Sequence, residues 1–126
     1  MAPEPAFRRE TGWRHLVAAA GYSWGGLKRL YAETAFRHEC AAFAAILVVF
    51  ALAGASAFDY LGAALLFLAL VSVEALNTAI EIVMDRVSPE FSEPAKTAKD
   101  LGSFAVMCLL VANGLYAAWV VLPRLF

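Results

Sequence analysis

The sequence is poor in the features that mark most soluble domains. It has only two cysteines, Cys40 and Cys108, and neither sits in a CxxC pair or at metal-ligand spacing. A disulfide scaffold is excluded, and both thiols read as packing residues in apolar runs. Charge is scarce. Only 17% of the 126 residues are charged and the net charge is -1, so the electrostatic footprint of a nucleic-acid binder is missing. The nucleotide and hydrolase signatures GxxxxGK[ST], HRD with DFG, and GxSxG are also absent. There is no internal repeat and no low-complexity segment. Residues 1–15 carry Arg8, Arg9 and Arg14 without the apolar core and cleavage site of a signal peptide, so none is expected.

What is abundant is apolar surface. Hydrophobic residues make up 62% of the chain, well above the roughly 45–50% of a soluble domain. A core of this size cannot hide that much, so lipid has to solvate part of it. Cys40 to Phe58 is a run of 19 residues without a charge, and Leu101 to Pro123 is one of 23. Between them, residues 60–84 form a third apolar stretch, broken only by Glu74, Asn77 and Glu81. The expected architecture is all-α and membrane-integral, in a single domain. A flexible tail (1–12) leads into an amphipathic surface helix (13–38). Transmembrane spans follow at 40–58, 60–84 and 101–123, with a polar loop at 85–100. Trp13, Leu16, Val17, Trp24, Leu27 and Tyr31 recur at helical spacing, with Arg14, Lys28 and Arg29 elsewhere on the wheel. That pattern suits a membrane interface better than packing on the protein itself. Gly21, Gly25 and Gly26 allow a break in this helix. Asp59 is expected to end the first span, Pro89 to keep Ser88 out of a helix, and Ser92 to cap the next one. Of ten Lys and Arg, six lie in 8–37 and three in 86–99, which predicts that both segments face the cytoplasm.

The few buried charges are ordered. Glu74, Asn77, Glu81 and Asp85 are spaced i, i+3, i+7, i+11, within an arc of about 80° on one helix face. Carboxylates inside a membrane are expensive and mark function. A span of about 20 residues from Tyr60 puts Glu74 roughly 8 Å below the charged boundary, near the depth of a lipid glycerol hydroxyl. Lys96, Lys99, Asp100 and Ser103 follow helical spacing at the foot of the last span. Glu33 and Glu39 add carboxylates at the same level, and one or two carboxylates with substrate phosphates is the usual way to hold Mg²⁺.

Four strings carry a resemblance: AAGYSWGGLK (Ala19–Lys28), ETAFRHE (Glu33–Glu39), VEALNTAIEIVMDR (Val73–Arg86) and AKTAKDLGS (Ala95–Ser103). Together they resemble the prokaryotic diacylglycerol kinase family, small integral-membrane lipid kinases, over about residues 12–122. The resemblance implies a homotrimer in the bacterial inner membrane, with active sites shared between subunits at the cytoplasmic face. It implies transfer of the γ-phosphoryl group of ATP to the hydroxyl of diacylglycerol with Mg²⁺. By position, Glu74 corresponds to the general base and Asn77 to its polar partner. Glu33 and Glu81 correspond to the Mg²⁺ ligands, Lys99 to a phosphate contact and Asp100 to a nucleotide-holding residue. Ser23 and Gly102 fall in site-lining motifs, and Glu90 joins the nucleotide-binding set. Arg14 stands one residue from the position where near members carry an Arg, which here is His15. Three rival readings remain: an undecaprenol kinase, a proton-coupled transporter subunit using Glu74 and Glu81 as a relay, and a non-catalytic assembly factor. The transporter is disfavoured because no polar residue lines the outer half of the second span.

Overall fold

The structure, a computed structural model, describes residues 11–126. Residues 1–10, most of the expected tail, lie outside the described residues. Four helices follow in order: α1 (Trp13–Tyr31), α2 (Thr34–Ala53), α3 (Ala57–Val87) and α4 (Glu93–Leu125). No strand occurs among the described residues. The helices α2, α3 and α4 are each long and apolar enough to cross a membrane. The protein is therefore a multi-pass membrane protein.

The local boundaries follow from turn chemistry. The helix expected over 13–38 is two helices. The first ends at Tyr31, and Glu33 takes an extended conformation as N-cap of α2. The three glycines of α1 do not break it; added side chains there would meet open space. The turn after α2 also comes earlier than expected. Gly54 closes α2 at φ 76°, the left-handed conformation that glycine adopts without penalty. Ser56 then opens α3 with a capping box: Asp59 N–H donates to its Oγ (3.2 Å), and its own N–H donates to Asp59 Oδ2 (2.8 Å). Asp59 thus starts a helix rather than ending one. At the other end α3 stops at Val87, ahead of Pro89. Ser92 caps α4 by accepting from Ala95 N–H at 3.3 Å.

The packing is sparse and graded. The antiparallel pair α3–α4 forms the main contact, and α2 leans on both. The tightest cluster, Phe50, Ala63 and Val120, sits beside the α2–α3 turn, with Tyr60 edge-on to Phe50 at 5.7 Å. Accessible surface totals 9514 Å², against about 6,600 Å² expected for a soluble protein of 13.6 kDa. Most large apolar side chains are exposed. Of the α1 residues only Leu30 is buried, so the Trp13–Tyr31 stripe is covered by no other helix of the chain. Helices of 31 and 33 residues exceed the roughly 20 that cross hydrocarbon, so α3 and α4 are long enough to project about 17 and 20 Å beyond it. Their projecting ends carry the charged residues at 81–100, and the packed cluster near the α2–α3 turn anchors the opposite end.

Candidate active site at the charged end of the bundle

Glu74 is buried, 7% exposed, on the face of α3 that meets α2 and α4. Thr78, one turn on, is buried to the same degree. The carboxyl of Glu39, from the first turns of α2, comes within hydrogen-bonding reach of Glu74. Glu39 Oε2 is shut off from solvent and has no donor. Ionised carboxylates only accept. A proton, a cation or a hydroxyl therefore has to serve this pair.

Asn77 sits one turn above. Its Nδ2 donates to Glu81 Oε1 at 3.3 Å, and its Oδ1 is buried without a partner. Gly102 makes this possible. A Cβ at 102 would collide with the Asn77 amide, so only glycine lets α4 approach so closely. Glu74, Asn77, Glu81 and Gly102 thus meet along one α3–α4 seam.

Further out, Lys99 Nζ donates to Asp85 Oδ1 at 2.6 Å, linking α4 back to α3. Asp85, rather than Asp100, fixes Lys99; Asp100 instead pairs with Lys96 at 2.6 Å within its own helix. Asp85, Glu90, Phe91, Ser92, Lys99 and Asp100 share an open polar pocket of about 370 Å³ in the α3–α4 turn. Phe91 and Ser88, which also line it, carried no motif in the sequence. Among the large apolar side chains Phe91 is one of the most exposed, at 78%.

Three expected site residues lie apart from this seam. Glu33 is held by Arg29 at 2.7 Å. Ser23 is exposed on α1, and Arg14 is exposed there with its guanidinium over Trp13, 5.7 Å from the ring centroid. Among the described residues no three metal-type side chains cluster. Mg²⁺ is commonly held by one or two carboxylates and completed by phosphate oxygens. Glu81, steadied by an amide whose own oxygen is unpaired, is a hard oxygen donor of that kind.

The chain is similar to known proteins across most of its length. The family model described as prokaryotic diacylglycerol kinase matches residues 21–121. A protein of Sinorhizobium named diacylglycerol kinase is 60% identical over 114 residues, covering 90% of this chain and 83% of that protein. The diacylglycerol kinase of Escherichia coli K12 is 36% identical over 102 residues, covering 80% and 84%. An undecaprenol kinase of Bacillus subtilis is 32% identical over 93 residues, covering 74% and 76%. A buried glutamate met by a second carboxyl below a charged, pocketed rim, and matches across most of the chain, lead to one assignment: the chain belongs to the prokaryotic diacylglycerol kinase family and is a membrane lipid kinase.

Proposed function

We propose that the protein phosphorylates the free hydroxyl of diacylglycerol with ATP, giving phosphatidic acid, on the cytoplasmic face of the bacterial inner membrane. The observation that carries this reading is buried Glu74 beside half-buried Glu39, whose Oε2 is closed to solvent, beneath the polar pocket of the α3–α4 turn. A lipid stays in the bilayer and a nucleotide stays in water, so the reacting atoms have to meet at the boundary. Glu74 lies on the lipid side of it and Lys99 on the water side.

In this reading the lipid oxygen attacks the γ-phosphorus, the bond to the β–γ bridging oxygen breaks, and ADP leaves. The hydroxyl proton passes to the Glu74 carboxylate. Phosphoryl transfer asks for positioning and charge neutralisation more than covalent help. Asn77 holds Glu81, and Glu81 with Glu33 would hold Mg²⁺, which when bound supplies charge neutralisation at the β- and γ-phosphates. Lys99, released from Asp85 by a competing phosphate, adds a second positive charge. Asp100 and Glu90 frame the nucleotide side, where Phe91 offers an aromatic face, and Gly102 lines the site from α4 against Asn77. Arg14, Ser23 and Glu33 lie outside the α3–α4 seam of their own chain. A homotrimer in which a neighbour's α1 and α2 complete each site accounts for them.

The test is turnover in mixed micelles with Mg·ATP, diacylglycerol and undecaprenol being offered separately. Diacylglycerol is expected to be the better substrate, and Glu74→Gln to lower kcat by about 10³-fold or more while the oligomer persists. A preference for undecaprenol would move the protein to the other branch of the family. Undiminished turnover in Glu74→Gln would remove Glu74 as the base.

A further inference from the structure

Two carboxyls in hydrogen-bonding contact carry a chemical constraint of their own. Glu39 comes from α2 and Glu74 from α3, and they meet where the two helices pack. Ionised carboxylates only accept, so two of them in contact have no proton to share and repel. One proton between them turns the contact into an O–H···O⁻ bond, among the stronger ones a protein makes. Nothing else nearby relieves the pair. The wall beside Glu39 is apolar, with Phe43, Phe67, Leu70 and Leu110. Its one neutral polar residue, Asn113, has spent its amide on the Leu66 and Leu109 carbonyls. On α2, Cys40 is the next residue, His38 is exposed, and Arg37 turns to Thr34. From α1, Leu30 is buried and Arg29 pairs with Glu33. On α3, Glu81 is bonded to Asn77; on α4, Lys96 and Lys99 are bound to Asp100 and Asp85. Among the described residues, Glu74 is the only charged group that acts on Glu39.

We propose that Glu39 and Glu74 share one proton in the resting protein, held on Glu39, whose O–H donates to the Glu74 carboxylate and keeps it aimed and ionised. Glu39 is then a positioning residue that acts through Glu74. The inference rests on the reading of Glu74 as the base and deepens it. The proton belongs on Glu39 because its Oε2 is closed to solvent and unpaired, while neither oxygen of Glu74 is left in that state. An unpaired oxygen costs far more on a carboxylate than on a neutral acid. The reaction then runs with its protons accounted for. As the lipid oxygen bonds to the γ-phosphorus, its O–H breaks and that proton goes to Glu74. The pair now holds two protons and is neutral. Loss of one proton to water at the charged rim, once product has left, restores the resting state. Glu39 keeps its own proton throughout, so the pair never sets two negative charges in the path of an anionic nucleotide.

Two substitutions separate a neutral donor at position 39 from an ionised carboxylate. Glutamine keeps a donor for Glu74 at every pH, and alanine keeps none. In mixed micelles with Mg·ATP and diacylglycerol, Glu39→Gln is expected to lose about three-fold in kcat at neutral pH. Glu39→Ala is expected to lose about 10²-fold, the cost of a misaimed reacting group, with KM for both substrates within about two-fold. Wild-type kcat should fall on the alkaline side as the shared proton leaves, and in Glu39→Gln that fall should move up by about one pH unit or vanish. Equal losses in the two variants, full kcat in Glu39→Ala, or an alkaline limb that glutamine leaves in place overturn the proposal. A second measurement needs no turnover. Infrared spectra of the wild-type protein in lipid, at neutral pH and without nucleotide, are taken minus those of either variant. The difference is expected to show the C=O stretch of a protonated carboxyl; a carboxylate band in its place overturns the proposal. If the wild type turned over no diacylglycerol at all, the underlying reading would fail, and the infrared band would still decide whether Glu39 holds the proton.

Discussion

The two ends of the helical bundle solve opposite problems. At the α2–α3 turn every polar group in view is answered from within the chain. Arg124 pairs with Asp59 at 2.7 Å and donates to the Val120 carbonyl at 2.7 Å. Tyr116 Oη donates to the Asp59 carbonyl at 3.0 Å, and Ser56 and Asp59 satisfy one another. The apolar cluster around Phe50 lies beneath that clasp. At the other end Glu39 Oε2 and Asn77 Oδ1 are buried with no partner, and the carboxyls of Glu39 and Glu74 face each other without a donor. Unsatisfied buried polar groups cost stability wherever they occur. Here they gather where substrate is expected to arrive, and the clasped end supplies the stability that lets the other remain open.

If that division holds, a change at the charged end should strike activity and spare stability. Gly102→Ala is the sharpest version. The new methyl has to displace the Asn77 amide, and with it the hold on Glu81. A displacement on the order of 1 Å at a reacting site costs about 10²-fold in rate. Alanine meanwhile favours the helix by about 1 kcal/mol over glycine, which offsets part of the collision. We expect kcat/KM to fall about 100-fold with the thermal midpoint nearly unmoved. A collapse of the midpoint with normal specific activity would show that Gly102 serves packing rather than the site.

The converse substitution belongs at the clasped end. Phe50 is fully buried against Ala63 and Val120, and Phe50→Ala leaves a void there. Truncations of this kind cost about 3–5 kcal/mol in soluble cores. Lipid, not water, is the outside solvent here, so the transfer part shrinks and the lost packing remains. The expected cost is on the order of 2 kcal/mol, read as a lower midpoint in detergent melts, with kcat of the folded fraction unchanged. A large fall in kcat would mean that the ends are coupled, and would end the comparison.

How much of this was legible in the sequence differs between the ends in the same way. The charged end was readable because carboxylates on an apolar helix stand out. Glu74, Asn77 and Glu81 declared themselves by spacing, and Lys99 by its place at the foot of a span. What spacing left open was partnership. Asp85 rather than Asp100 holds Lys99, and the contact between Glu39 and Glu74 joins residues 35 positions apart on different helices. Phe91 and Thr78 gave no signal, since a lone aromatic and a lone threonine are ordinary in a loop and a helix. The clasped end was misread at its turn. The S-x-x-D pattern of a capping box was present at Ser56–Asp59, yet the charge of Asp59 reads as a span terminator until the backbone shows it accepting from Ser56. Asn113 was also invisible within an uncharged run, although its amide reaches the Leu66 carbonyl at 3.2 Å and pins α4 to α3 at mid-depth. Span number and the polar stripe follow from composition and period. Turn positions and cross-helix bonds follow from atoms brought together only on folding.

The smallest expected effect tests how finely the clasp is built. Tyr116→Phe removes one hydroxyl and its bond to the Asp59 carbonyl while keeping the ring. Hydrogen bonds between membrane helices average about 0.6 kcal/mol, because the separated helices find other partners. The midpoint should therefore drop by only a few degrees, with activity intact. The ring of Tyr116 lies over Gly62, where an added Cβ would collide with the hydroxyl and with Cζ, 2.6 Å away. Gly62→Ala alone should thus cost more than Tyr116→Phe, which keeps Cζ, and should cost less in a Tyr116→Ala background than in the wild type. Strict additivity of Gly62→Ala and Tyr116→Ala would show that Tyr116 and Gly62 do not meet in the folded protein. A non-additive cycle would place the ring where the structure has it, at the clasped end of the bundle.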